Sequence, residues 1–433
     1  MCAVFAGSYV TLGALAFTNC REGLWAPAAM RIVELKGTMP DGTPYSLYAQ
    51  EQYHHDHVYH PLLSRGWVYQ ETLVSPRTLV FLGREAMWLC RENISCQCRT
   101  LRIRTSWNTF VKLPARDTKH EAGTQSENLL LWAQLWHVLV SGYACRTNLS
   151  CLGDRLTAIE GLAEYFRHWR QGERYFGGIW SGSFAKDLLW RTIPEFHERL
   201  RVRPDTIKTK WSSEKWLFPT WSWASLNNKN PMGPRMSILY AKFREEVAVD
   251  SPSPPTYQHY PDSAFLITPI GEPFGQDRIA DGQKPPPSTE KRRYHELRIQ
   301  GIIVPIGWQQ LLAMEKDAWA ENIEPYPEPF FMCDYGWLKF ANWLKEEYPA
   351  GPAEPTFYCL RMMKYIGRTG HFMGLVLHCV DEARQIYERI GVLAQRYRLE
   401  KDDTEESKRH WKPDWRQEAG TESEPEARVI TLV

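Results

Sequence analysis

Apolar and polar positions along the chain switch between a period of two and a period near 3.6, so the pattern predicts strands and helices in mixed order. Residues 1–7 read as the end of a helix, and Tyr9 to Leu15 as a buried strand, being apolar and rich in β-formers at its start. Residues 36–62 are mostly polar, with Gly37, Pro40-Asp41-Gly42 and Pro44 as turn signals, and read as a loop or an insertion. A helical stretch from Arg65 to Leu73 follows, broken at Ser75-Pro76-Arg77. Thr78 to Leu82 and Ala86 to Cys90 then read as a β-hairpin around Gly83-Arg84. Thr124-Gln125-Ser126-Glu127 is a capping box, and Leu129, Trp132, Leu135, Trp136 and Leu139 continue it with helical spacing. A second helix is expected from Asp154 as N-cap, with Leu156, Ile159, Ala163 and Phe166 inside. Trp221-Ser222-Trp223-Ala224-Ser225 has period two, which predicts a strand with both indoles on one face. Beyond it, strand-like segments recur at Leu297 to Ile306, Thr356 to Met362, Phe372 to Cys379 and Glu388 to Leu393.

These elements predict an α/β unit over residues 1–100, a basic and polar linker at 101–123, and a helical region with a Trp-rich strand at 124–249. A Pro- and Gly-rich flexible linker at 250–292, a small β-rich C-terminal unit at 293–398 and a charged, disordered tail at 399–433 complete the chain. With 433 residues, 43% of them hydrophobic, there is enough apolar surface for two or three domains. A net charge of +1 gives no global field toward nucleic acid or an anionic membrane, so neither is expected as a partner. The 19 Trp and 20 Tyr supply large flat surfaces, and burial is the expected use. Ten scattered Cys suit reduced thiols in the cytoplasm better than a disulfide framework. Residues 1–20 imitate a secretory apolar core, yet lack a basic start and a small-x-small cleavage site. No apolar run is long enough to predict a spanning helix.

Candidate chemistry concentrates at Arg65-Gly66-Trp67-Val68-Tyr69-Gln70-Glu71. On a helix Trp67 and Glu71 stand at i and i+4, so indole and carboxylate share a face, and a carboxylate beside an apolar ring is partly desolvated. Such a group can act as acid, base or charge stabiliser. The same spacing equally describes a core Trp with a rim Glu paired to Arg65 or Arg77. His54, His55, His57 and His60 with Asp56 are metal-ligand types without fixed geometry, and read as solvated surface. Cys90, Cys96 and Cys98 lack zinc-site spacing even if Cys145 or Cys151 joined them, so no metal is expected. Arg146 with Asp154-Arg155 reads as an internal ion-pair network. There is no phosphate loop, His-Glu-x-x-His helix or nucleophile elbow, which leaves Glu71 as the single catalytic candidate.

Arg65-Gly66-Trp67-x-x-Gln70-Glu71, followed by Leu73-x-Ser75-Pro76-Arg77, resembles the third block of the fungal heterokaryon incompatibility (HET) domain. Other signatures of that family follow in order: Met87-Trp88-x-Cys90, Asp154-Arg155-Leu156-x-Ala158-Ile159-x-Gly161, Gly178-Ile179-Trp180, Leu188-Leu189-Trp190 and Pro219-Thr220-Trp221-Ser222-Trp223-Ala224-Ser225. The resemblance covers most of residues 1–225. Two earlier blocks of the family, Tyr-x-x-Leu-Ser-Tyr-x-Trp-Gly and Trp-Ile-Asp-x-x-Cys-Ile-x-Gln, are missing, and the expectation is an N-terminally truncated member. The resemblance implies fungal nonself recognition and programmed cell death through protein partners, which include further copies or other incompatibility proteins. HET domains are similar to Toll/interleukin-receptor (TIR) domains, flavodoxin-like α/β folds with a parallel sheet. Some of these cleave the nicotinamide bond of NAD with a Glu four residues after a Trp. Trp67 and Glu71 reproduce that spacing, so the implied site is Glu71 with Trp67, Arg65 and Gln70 and NAD the implied substrate; the truncated chain, which lacks the first strand and loop of such a pocket, is expected to act through partners without turnover, with an NAD glycohydrolase and a remnant without function of its own as the alternatives.

Overall fold

The computed structural model describes residues 1–17, 19, 21, 24, 32–50, 61–82, 85–97, 112–115, 125–144, 149, 154–192, 218–225, 238–240, 257–259, 268–270, 296–308, 310–311, 330–334, 357–365, 369–398 and 427–433. The chain divides into two compact units, Met1–Gln171 and Gly172–Val433.

The first unit contains, in chain order, α1 (Cys2–Ala6), β1 (Thr11–Ala14), β2 (Ile32–Thr38), β3 (Pro44–Gln50), α2 (Gly66–Val74), β4 (Arg77–Phe81), β5 (Ala86–Cys90), β6 (Ile94–Cys96), α3 (Gln125–Ala144) and α4 (Thr157–Phe166). The sheet order is β1-β4-β5-β6. β1 and β4 are parallel, and the helix α2 lies between them in sequence, so β1, α2 and β4 form a βαβ unit. β4, β5 and β6 continue as an antiparallel meander. The inward positions Val80, Met87 and Leu89 pack with Leu15, Leu63 and Val68 into one core. The unit is therefore α/β with a mixed sheet.

Three sequence expectations change in this unit. The first strand is shorter than Tyr9 to Leu15 and is not buried: Leu12 is 58% exposed, because β1 stands at the edge of the sheet. The stretch read as a loop holds the β2–β3 hairpin, which turns at Pro40-Asp41-Gly42. The second helix is capped by the Leu156 backbone and not by the Asp154 side chain, since Asp154 sits in a preceding turn. Its inner face is as expected, with Leu156, Ile159, Ala163 and Phe166 all buried. The histidine cluster at 54–60, the capping residue Thr124, and Cys98, Cys145, Arg146 and Cys151 lie outside the described residues.

The second unit begins with β7 (Tyr175–Phe176), β8 (Ile179–Trp180), α5 (Phe184–Asp187) and β9 (Trp190–Thr192). It continues with β10 (Ile238–Tyr240), β11 (Tyr257–His259), β12 (Thr268–Ile270), β13 (Glu296–Gly301), β14 (Ile303–Ile306) and β15 (Phe330–Cys333). The last four strands are β16 (Phe357–Tyr365), β17 (Thr369–Asp381), β18 (Ile386–Arg398) and β19 (Arg428–Leu432). β11-β16-β17-β18-β19-β13-β12 is the main strand order, with β14 added to β16 and β15 to β18. Register shifts in the β16–β17 and β17–β18 ladders mark bulges, which curl a sheet. Alternation sends Phe357 and Cys359 of β16 to one face, and Leu360 and Met362 to the other. Both faces are covered by core.

Two expectations fail here. Trp221 to Ser225 is a turn running into a short 3-10 helix, not a strand. The Ser222 hydroxyl donates to the Gly177 carbonyl at 2.6 Å and accepts from Ala224 N at 3.1 Å, which closes the turn. Residues 428–432, expected to belong to a disordered tail, form β19 between β18 and β13. Among the described residues no helix is long and apolar enough to cross a membrane, and the described cysteines carry free thiols.

Candidate functional site

The helix α2 carries Trp67, Gln70 and Glu71 and has Arg65 as its N-cap, and it sorts the four residues singled out from the sequence onto two sides. Trp67 and Glu71 are half-buried and Arg65 is exposed, whereas Gln70 is buried. Burial pushes the Glu71 carboxyl above its usual range, and the nearby Arg65 guanidinium opposes that shift. Among the described residues nothing hydrogen-bonds to the Glu71 carboxylate, so this is a carboxyl that holds its proton to higher pH, one helical turn from Trp67. It is competent for proton exchange or for steadying a developing positive charge.

Gln70 points elsewhere. A Cβ on Gly161 of α4 would stand 2.5 Å from Gln70 Oε1, so the glycine makes room for the carboxamide between α2 and α4. Its Oε1 has no hydrogen-bond partner among the described residues. The same helix face repeats the device. A Cβ on Gly66 would meet Leu149 Cδ2 at 2.7 Å, and one on Gly142 of α3 would meet Tyr69 Oη at 2.5 Å. Tyr69 donates its hydroxyl to the Leu139 carbonyl at 3.0 Å, and Tyr143 donates to the Arg155 carbonyl at 2.7 Å. Arg155 is buried, and desolvation lowers its pKa to about 10. Gly66, Tyr69, Gln70 and Gly161 thus hold three helices together, and Trp67, Glu71 and Arg65 occupy the open side.

The C-terminal end of α2 has a partner that the sequence did not disclose. In a regular helix the Thr72 carbonyl would accept from the amide of residue 76, but Pro76 has none. Lys112 takes that place. Its Nζ donates to the Thr72 carbonyl at 2.6 Å and to Thr78 Oγ1 at 2.5 Å, while Leu113 N donates to the Leu73 carbonyl at 3.1 Å. An ammonium at a helix C-terminus also faces the negative end of the helix dipole. Lys112 is nonetheless buried, and desolvation, reinforced by Arg91 and opposed by Cys90, brings its pKa down to about 7. Residues 112–115 lie inside the stretch read as a linker and are tied down along their length: Arg91 Nε donates to the Leu113 carbonyl, and Tyr165 to that of Pro114. The one signal for this contact was Pro76 itself.

In the second unit the remaining motifs meet in the same manner. Gly177 and Gly178 have φ of +55° and +94°, and Cβ atoms there would collide with the indoles of Trp221 and Trp223. Trp223 Nε1 donates to the Gly178 carbonyl at 3.2 Å, and Trp190 Nε1 to the Trp221 carbonyl at 2.9 Å. Arg389 of β18 is fully buried. Its guanidinium bonds both carboxylate oxygens of Asp334, donates to the carbonyls of Leu188 and Trp190, and lies 3.4 Å from the Trp190 ring centroid. Comparison with protein-family models, with curated proteins and with solved structures found no match.

Proposed function

We propose that the chain is a HET-type protein of fungal nonself recognition and programmed cell death. It acts in the cytoplasm through a TIR-like module and protein partners, without catalytic turnover. The observation that carries this reading is that the resembling motifs meet as packing partners: Gln70 against Gly161 in the first unit, Gly177 and Gly178 against Trp221 and Trp223 in the second. A chance string of motif letters has no reason to pair up in space. Gln70, a residue of the implied site, serves the helix contact, which favours recognition over chemistry.

A second reading, an NAD glycohydrolase that uses Glu71, draws support from the half-buried carboxyl with its raised pKa, four residues after Trp67. There the carboxylate would hold the ribose hydroxyls and steady the oxocarbenium-like transition state as nicotinamide leaves. Controlled expression in a filamentous fungus, with cell death and cellular NAD followed together, separates the two. Death that persists in Glu71→Gln at unchanged NAD supports recognition. Death with NAD loss, both abolished by Glu71→Gln, establishes the enzyme instead. No death with either chain overturns the proposal.

A further inference from the structure

Residues 112–115 cross the C-terminal end of α2 and are fastened on several sides at once. Lys112 Nζ bonds the Thr72 carbonyl of α2 at 2.6 Å and Thr78 Oγ1 of β4 at 2.5 Å. Leu113 N donates to the Leu73 carbonyl of α2 at 3.1 Å, and the Leu113 side chain is buried. Arg91, next to β5, donates through Nε to the Leu113 carbonyl at 2.9 Å, and Tyr165 of α4 donates to the Pro114 carbonyl at 2.9 Å.

The surroundings of Nζ match one protonation state. An ammonium has three N–H donors to place, whereas a neutral amine has two. Two acceptors stand within reach, both uncharged, and among the described residues no carboxylate pairs with the nitrogen. Lys112 is only 7% exposed, so a third N–H has neither an acceptor among those residues nor ready water, which is costly. The groups that face it from the neighbouring elements leave a charge unanswered. Arg91 is a second cation, Cys90 of β5 is a thiol, and the Tyr165 hydroxyl of α4 is spent on Pro114. Glu71 of α2 and Arg77 of β4 are engaged elsewhere, with Arg65 and with the Tyr9 ring.

We infer that residues 112–115 are a proton-operated latch on α2, held closed by the neutral Lys112 amine and released when Nζ takes up a proton from water. Opening carries the ammonium into solvent, frees the Thr72 and Leu73 carbonyls, and lets the last turn of α2 fray. That helix carries Trp67 and Glu71, so proton activity gains a grip on their surface. The inference does not rest on the functional reading above. Desolvation brings the closed amine to about 7, while a solvated lysine titrates near about 10.4. Each pH unit above about 7 therefore tightens the latch up to about tenfold, and opening levels off below it.

The test is amide hydrogen exchange on the full chain from about pH 6 to about pH 9, expressed as protection factors to remove the intrinsic pH dependence of exchange. The Leu113 amide should be less protected than the amides of β5, which bond β4 and β6, and its protection should rise about five- to tenfold per unit above pH 7. Lys112→Met should abolish that rise. Lys112→Arg, which keeps its charge throughout, should leave Leu113 weakly protected at every pH. Wild-type protection that does not change with pH overturns the inference, as does a rise that survives Lys112→Met. A Leu113 amide protected as strongly as β5 overturns it too, since the segment would then open only when the whole unit unfolds. The wild-type series decides the matter alone if either variant fails to fold.

Discussion

A buried long cation stands at a junction of elements in each unit, Lys112 in the first and Arg389 in the second, and the two are treated in opposite ways. In the second unit Arg389 receives both oxygens of Asp334, two carbonyls and an indole face. In the first, the partners of Lys112 among the described residues are a carbonyl and a hydroxyl, both neutral. A buried charge costs several kcal/mol unless a counter-charge and good hydrogen bonds offset it. A guanidinium holds its proton far more tightly than an ammonium, so when buried it has to be supplied with partners. An ammonium can shed its proton, and Lys112 does so near pH 7. The lesson is that one junction is a fixed clamp and the other is set by proton activity.

The largest effect should come from breaking the clamp. Asp334→Ala leaves a fully buried guanidinium without its counter-ion, and about 3–5 kcal/mol of stability should be lost. Denaturant unfolding followed by tryptophan fluorescence would read this, since Trp190 lies on the guanidinium. Next is the pH profile of the first junction. The folded pKa of Lys112, about 7, lies below that of an unfolded lysine, so the folded state binds fewer protons between the two values. Stability should therefore be lowest below pH 7, and should rise by up to about 1.4 kcal/mol per pH unit between about 7 and about 10.4. Lys112→Met should remove that slope in denaturation curves taken across the range. Thr78→Val takes away one of the two acceptors and should cost about 1 kcal/mol at neutral pH.

The smallest effect concerns Glu71 and has the sign expected of a site rather than of a brace. Its folded pKa is raised, so the folded state holds the proton more tightly, and stability falls as pH climbs from 4.5 through the folded value. At neutral pH Glu71→Gln should stabilise the chain by about 0.5 kcal/mol or less, because the half-exposed group is screened by water. The gain should vanish in acid, where both side chains are neutral. A destabilised variant would mean that the carboxylate braces the fold.

Much of the fold is legible because it obeys one period at a time. β4 and β5 alternate cleanly around Gly83-Arg84, and the long strands β16 to β18 read as apolar runs because core covers both of their faces. The hairpin β2–β3 hides because both its faces are solvated: Glu34 and Lys36 alternate with exposed Val33 and Leu35, so no buried face imposes a signal. Trp221-Ser222-Trp223 misleads because period two is also the spacing of a turn closed by its central hydroxyl. At the site, the helix and the shared face of Trp67 and Glu71 can be read from spacing. The pairing of Gln70 with Gly161 cannot, since it joins residues far apart in sequence. Lys112 sits in a basic, polar stretch that reads as solvent-exposed, and only its tertiary partner changes that.

The strand order of the second unit also dictates when that unit can fold. β19 lies between β18 and β13, and its five residues bond to Leu297 through Gly301 on one side and to Ile386 and Tyr387 on the other. Until residues 428–432 have left the ribosome, β13 has no neighbour on that flank and the sheet stays divided. Nascent chains of this protein will therefore carry an unsealed sheet from the emergence of β13 until β19 follows, and chaperone demand should fall abruptly when those five residues emerge.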